Sequence, residues 1–263
     1  MEASQGDKHQ QAAAIWPDPP ELPAPAMFDQ RWTDAIFLHW RIAENLAAGF
    51  LPPGVQPDVF DGSSWVGLIG FRMKNAGIGR GPGIPYLGRF HEVNVRLYSR
   101  EPNGTRGVVF LSLDANRLPV VLAARAAEVP YVWSRIDYSQ QPMPDSAKDE
   151  TIGYSVRRFR QGARSSFAVI PQSGATVDDP LSVFLTARFG MHGTFRGRSI
   201  YMPNTHQPWL LRSAKLHQLE DDLVASAGIS ASGPPESVLY SPGVRTQFGR
   251  PRLVSSPGRQ LAT

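Results

Sequence analysis

Cysteine is absent from the 263 residues. Disulfides, thiolate metal sites and a cysteine nucleophile are thereby excluded, and the composition is one that a reducing cytoplasm tolerates. No apolar run approaches the roughly 18 residues of a membrane span. The N-terminus, MEASQGDKHQQAAAIWPDPP, has neither the basic start nor the apolar stretch of a signal peptide, so the expectation is a soluble, cytoplasmic protein. Lysine is scarce: Lys8, Lys74, Lys148 and Lys215 are the only ones, and the formal charge of +4 rests on arginine. His39, His91 and His206 are far apart and no HxH or HExxH spacing occurs, so no metal is expected. A G-x-S-x-G elbow is also missing, which argues against a serine hydrolase.

What is present is an ordinary globular composition, 41% hydrophobic and 19% charged, with 24 glycines and 24 prolines that point to many turns and few long helices. Nothing in the middle reads as a linker. The expected organisation is an Ala- and Pro-rich arm over residues 1–27, one domain over 28–254 and a basic tail over 255–263. Within the domain, Ile36, Leu38, Trp40 and Ile42 alternate with Phe37, His39 and Arg41, the period of a strand. SSWVGLIGFRM, from Ser63 to Met73, is apolar on both faces and should be central. From Phe90 to Tyr98, Val93, Val95 and Leu97 take one face and Glu92, Asn94 and Arg96 the other. GVVFLSL completes a hairpin. Asp114 stands where an N-cap belongs, ahead of a helix that ends at Pro130. IGYSVRRF and SSFAVI form a second hairpin, Asp179-Pro180 opens another helix, and RSIYMPNTH reads as a strand. Leu216, Leu219 and Leu223 predict a helix from Ser213 to Gly228. With strands dominant and no βαβ rhythm, the fold class is α+β with a curved, mainly antiparallel sheet.

Two features invite a phosphate or nucleic-acid reading. AGIGRGPGIPYLG carries glycines at 77, 79, 81 and 83 but leads into a strand, whereas a phosphate cradle leads into a helix N-terminus. It is read as a loop that covers a pocket. Arg157, Arg158, Arg160 and Arg164, and then Arg245, Arg250, Arg252 and Arg259, are read as a solvated hairpin and a frayed tail, since no nucleic-acid motif accompanies them.

The run FLHWRIAENLAAGFLPPGVQPDVFDGSSWVGLIGFRM, followed by RFHEVNVRLYS, SLDANR and VPYVW, and later by HQPWLL and YSPGV, resembles the bacterial family catalogued as domain of unknown function 2071. That family is similar in organisation to acetoacetate decarboxylase. The resemblance implies a β-barrel or cone of the acetoacetate decarboxylase-like type, enclosing a small-molecule cavity and flanked by short helices. It also implies that Glu92 lies in the cavity and that the corner Val129-Pro130-Tyr131 stands where the decarboxylase carries its Schiff-base lysine. Tyr131 occupies that position, and no residue of the corner is a lysine. An imine needs a primary amine, and arginine is no substitute.

The candidate site is therefore Glu92 as catalytic acid or base, with Asn94, Arg96, Tyr131, Trp133, His39 and Arg41 as ligand-binding residues, and no cofactor. The competing reading is a solvated, ion-paired face for Glu92, Asn94 and Arg96, and plain core for the aromatics. Three functions follow in order: a module that holds a small organic molecule, anionic or neutral, without decarboxylating it; a cofactor-independent lyase or isomerase that uses Glu92 for enolisation, dehydration or tautomerisation; and an arginine-mediated nucleic-acid or protein interaction module. The expected partner is a small molecule, nucleic acid and membrane are not expected, and homo-oligomerisation stays open.

Overall fold

The computed structural model describes residues 19–22, 25–79, 81–143, 146–160, 162–174 and 176–254, with the side chains of 146–148 left aside. The expected C-terminal tail and most of the N-terminal arm lie outside these residues. The first strand, β1 (Phe28–Ile42), begins where the arm was expected to end, and its alternation is the one read from the sequence. It is followed by α1 (Glu44–Ala48), β2 (Gln56–Pro57), β3 (Ser64–Ile78), β4 (Phe90–Arg100) and β5 (Arg106–Ala115). Next come α2 (Leu118–Ala126), β6 (Tyr131–Met143), β7 (Ser146–Arg158) and β8 (Arg164–Pro171). The chain then runs through α3 (Pro180–Thr186), β9 (Gly190–Phe195), β10 (Arg198–His206), β11 (Arg212–Asp221), α4 (Leu223–Ser226), β12 (Ser237–Phe248) and β13 (Arg252–Leu253).

Hydrogen bonding runs in order through β5, β6, β7, β8, β11, β12, β1, β3 and β4 and returns to β5, so these strands close a barrel. A second, smaller ring is built on its outer wall: β9 pairs with β5, β10 pairs with β9, and β10 pairs with β12. The strands β12, β1, β3, β4 and β5 belong to both rings. That explains why β3 reads as apolar on both faces. Val66 and Leu68 join the barrel interior with Leu38, Val93, Ile152 and Phe167. Ile69, Phe71 and Met73 face the other way, toward Phe37, Phe90 and Trp209 in the cone inside the smaller ring. Both faces are therefore dry.

Close packing in the barrel demands glycine at one point of the shared wall. A methyl group on Gly70 would lie 2.8 Å from both Phe167 and Tyr154. We expect Gly70→Ala to destabilise the protein by about 1–3 kcal/mol through overpacking. Urea denaturation checks this, and an unchanged midpoint would contradict it.

Four sequence expectations are corrected. Asp114 does not cap α2. It lies within β5, paired with Val93 and Val132, and the cap position is Arg117, which makes no side-chain capping bond. The sheet also contains a parallel crossover, because α2 returns the chain so that Tyr131, Val132 and Trp133 pair with Leu113, Asp114 and Ala115. The helix predicted from Ser213 is instead strand β11, with only the short α4 after it. A bulge between Leu216 and Gln218 shifts the register, so that Leu216 and Leu219, three apart, both pack on the barrel core. That spacing imitates a helical period. Finally, the arginine clusters are not wholly solvated. Arg158 is buried against Asp114, Arg245 pairs with Asp29, and Arg252 pairs with Glu101.

Candidate functional site

Strand β4 carries the site because it lies in the wall between the two rings. Its odd residues fill the barrel, and Glu92, Asn94 and Arg96 face the cone, 3%, 1% and 9% exposed. The parallel crossover then supplies Tyr131. On β5, Ala115 is opposite Glu92 and Leu113 is opposite Asn94, while β6 places Tyr131 beside Leu113. The small, fully buried Ala115 leaves room, and the Tyr131 hydroxyl donates to Glu92 Oε2 at 2.7 Å. Asn94 Nδ2 donates to Glu92 Oε1 at 3.3 Å.

Burial dominates the electrostatics. It pushes the Glu92 carboxyl from its usual 4.5 to about 7, against the opposing hydrogen bonds from Tyr131 and Asn94 and with a further upward push from Asp114. The Tyr131 phenol is driven well above its usual value by burial, by the charge of Glu92 and by its bond to that carboxylate. Glu92 thus changes protonation near neutrality while Tyr131 stays a donor.

A second chain of contacts runs along the same face. Arg96 Nε donates to the Tyr98 hydroxyl at 3.3 Å, and that hydroxyl lies 2.6 Å from His39 Nε2. With Tyr98 donating to Nε2, the proton of the neutral imidazole resides on Nδ1. Burial first, then the charges of Arg96 and Arg188, holds the His39 pKa well below its usual value. His39 Nδ1 and Asn94 Oδ1 are buried without a hydrogen-bond partner among the described residues.

Three buried arginines can be compared. Arg158 forks onto Asp114, donating from Nε and Nη2 at 2.9 Å each. Arg188 donates to Asp58 at 2.5 Å. Arg96 bonds the Tyr98 hydroxyl and, through Nη2, the Leu185 carbonyl at 3.2 Å, and lies over the rings of Phe37 and Tyr98. No carboxylate among the described residues forms an ion pair with it.

The structure thus brings together Glu92, Asn94 and Tyr131, and joins Arg96 to His39 through Tyr98. Arg41 lies apart at the strand end, 34% exposed, paired with Glu236 and Asp61. Trp133 is 40% exposed and packs on Phe159, ring centroids 4.2 Å apart. Tyr98, Arg188 and Asp58 were not anticipated. For Tyr98 the signal was available, since it continues the 92, 94, 96 alternation. Nothing local marks Asp58 as the partner of a residue 130 positions away.

Of the lysines, Lys74 lines an outer groove with Arg31, Arg72 and Arg89, and Lys215 is exposed on β11. Lys8 and the side chain of Lys148 lie outside the described residues. Among the described residues no group of three or more His, Asp or Glu side chains is arranged to hold a metal ion, and no helix is long and apolar enough to cross a membrane.

A closed nine-stranded mixed barrel with four short helices is the fold of acetoacetate decarboxylase-like proteins. The enduracididine biosynthesis enzyme MppR complexed with pyruvate superimposes with a TM-score of 0.63 at 14% identity, over 89% of this chain and 92% of that one. Acetoacetate decarboxylase from Legionella pneumophila subsp. pneumophila str. Philadelphia 1 does so with a TM-score of 0.58 at 12% identity, over 98% and 99%. The chain belongs to the DUF2071 family of uncharacterised conserved proteins, whose profile matches residues 29–245. It is 28% identical over 211 residues to the uncharacterised protein YqjF of Bacillus subtilis (strain 168), covering 79% of this chain and 83% of that one.

Proposed function

We propose that this chain binds a small carboxylate-bearing organic molecule in the cone, with Arg96 holding the carboxylate, and that it performs no lysine-imine decarboxylation. Arg96 carries the reading. A buried guanidinium is stable when paired; Arg158 and Arg188 each have an aspartate, and Arg96 has none among the described residues. A ligand carboxylate completes the set. Asn94 Oδ1 and His39 Nδ1 add an acceptor and a donor for its polar atoms. Pyruvate, bound by the similarly folded MppR, is a molecule of this chemistry. The corner Val129-Pro130-Tyr131 offers a phenol where an imine requires an amine.

Pyruvate titration followed by ligand-observed NMR tests this. Wild-type protein is expected to bind, Arg96→Gln to bind at least about tenfold more weakly, and borohydride treatment with pyruvate to leave no adduct. A trapped lysine adduct would overturn the reading, as would unchanged binding by Arg96→Gln.

A second reading adds proton transfer at the same site, favoured by the carboxyl of Glu92 near 7 beside a phenol held protonated. The ionised Glu92 is then the base: it takes a proton from the carbon next to a carbonyl and becomes a neutral carboxyl, the electron pair stays on the substrate as an enolate, and Tyr131 steadies the Glu92 carboxylate before the transfer. Exchange of the pyruvate methyl protons in deuterium oxide, lost in Glu92→Gln, is the expected sign. If exchange proceeds unchanged in that variant, the second reading falls and the first stands.

A further inference from the structure

A groove also lies outside the cone. It has a volume of about 610 Å³ and opens beside the β3–β4 connection, lined by Arg31, Arg72, Lys74, Arg89 and Arg117, with no carboxylate among its lining residues. Arg72 pairs with Asp34 at 3.2 Å. The other four form no ion pair among the described residues. Cations gathered without counter-charges repel one another, so the cluster is stabilised when an anion enters.

Two observations add to the charge. Thr33, 6% exposed, lines the groove with its hydroxyl unpartnered among the described residues, and the Arg117 Nε is buried and likewise unpartnered among them. These are two hydrogen-bond donors on residues that line a cationic groove. The groove also continues into a second space of about 490 Å³, sharing Asn75, Arg89 and Arg117 and lined otherwise by the glycine-rich connection, including Ile84 and Tyr86. Tyr86 is held at φ 63, an unfavourable conformation for a bulky residue, with its ring 4.6 Å from the Arg117 guanidinium and 69% exposed. An aromatic surface therefore adjoins the charged one.

We infer that this groove binds a phosphate-bearing small molecule, its phosphates on Arg31, Lys74, Arg89, Arg117 and the Thr33 hydroxyl, and its organic part against Tyr86 and Ile84. A monocarboxylate neutralises one cation and leaves the rest opposed. A di- or polyphosphate offers several charges and the paired acceptor oxygens that arginine forks engage. The site is independent of the cone ligand, because Glu92, Asn94 and Arg96 do not line it.

Calorimetric titration of the full chain with inorganic pyrophosphate and with ADP, both free of divalent metal, tests it. Both are expected to bind, more weakly as salt is raised, with ADP the tighter. The Arg89→Gln/Arg117→Gln variant should lose at least about tenfold in affinity for each, and Tyr86→Ala should erase the advantage of ADP. The control is Arg157→Gln/Arg164→Gln, exposed arginines on the β7–β8 hairpin, which should change nothing. Absence of binding by both probes, or equal loss in the control, would overturn the inference. So would capture by phosphatidate vesicles without binding of ADP, which would make the phosphate that of a membrane surface.

Discussion

Replacing Glu92 with glutamine should stabilise the protein above neutral pH by about 3 kcal/mol and leave its stability almost unchanged near pH 4.5. The carboxyl titrates near 7 in the folded chain, against 4.5 when exposed to water. Between those values the folded state holds a proton that the unfolded state has released. The contribution of Glu92 is therefore complete below about pH 4.5, declines as the pH rises and is lost above about pH 7. Glutamine stays neutral and escapes that loss. It can still accept from Tyr131, and its amide can donate to Asn94 Oδ1 once the Asn94 amide rotates, so that Nδ2 takes the place of Oδ1 as the unpartnered atom of Asn94 and the number of such atoms there does not rise. Urea midpoints measured for both proteins across this range provide the check. A difference that does not vary with pH would show that Glu92 is not held in a dry environment. A residue whose replacement stabilises the fold is one that packing alone does not require.

The opposite sign is expected at another buried carboxylate, Asp114. On the inward faces of β5, β6 and β7, Asp114 accepts from Arg158 twice and from Ser134 Oγ at 2.6 Å, while Arg158 also donates to Ser112 Oγ. Asp114 is fully buried and Arg158 is 5% exposed. Asp114→Ala or Arg158→Leu leaves one buried charge without its counterpart, and each should cost about 3–5 kcal/mol. Removing both together should cost much less than the two single losses combined, because neither charge is then left alone. A double-mutant cycle measures the coupling. Additive losses would mean that the two side chains stabilise the barrel independently.

Much of β4 was legible before the structure. Strict alternation from Phe90 to Tyr98 assigns Glu92, Asn94 and Arg96 to one face whatever the fold, since successive side chains of a strand point to opposite sides. Alternation does not say what covers that face. Asn94 and Glu92 are deeply buried only because β9 and β10 close a second ring outside the first. Asp114 shows the limit from another direction. An aspartate shortly before a proline-started helix is a reasonable cap by sequence, but the partner that fixes it, Arg158, is 44 residues away. Leu216 and Leu219 mislead for a local reason, because one extra residue in a strand turns a spacing of two into three.

The sequence by itself determined the composition of this wall: a carboxylate, an amide and a guanidinium on one strand face, a corner at Val129-Pro130-Tyr131 that holds no lysine, and only four lysines in the whole chain. These are properties of residue identity and of period-two geometry, both of which act over a few neighbours. Tertiary structure decided the state of those groups. Closing the strands into two rings removed Glu92 from water and raised its carboxyl to about 7, brought Tyr131 within 2.7 Å of it, and buried Arg96 without a carboxylate among the described residues. Desolvation and pairing depend on chain segments far apart in sequence, so they exist only once the barrel has closed.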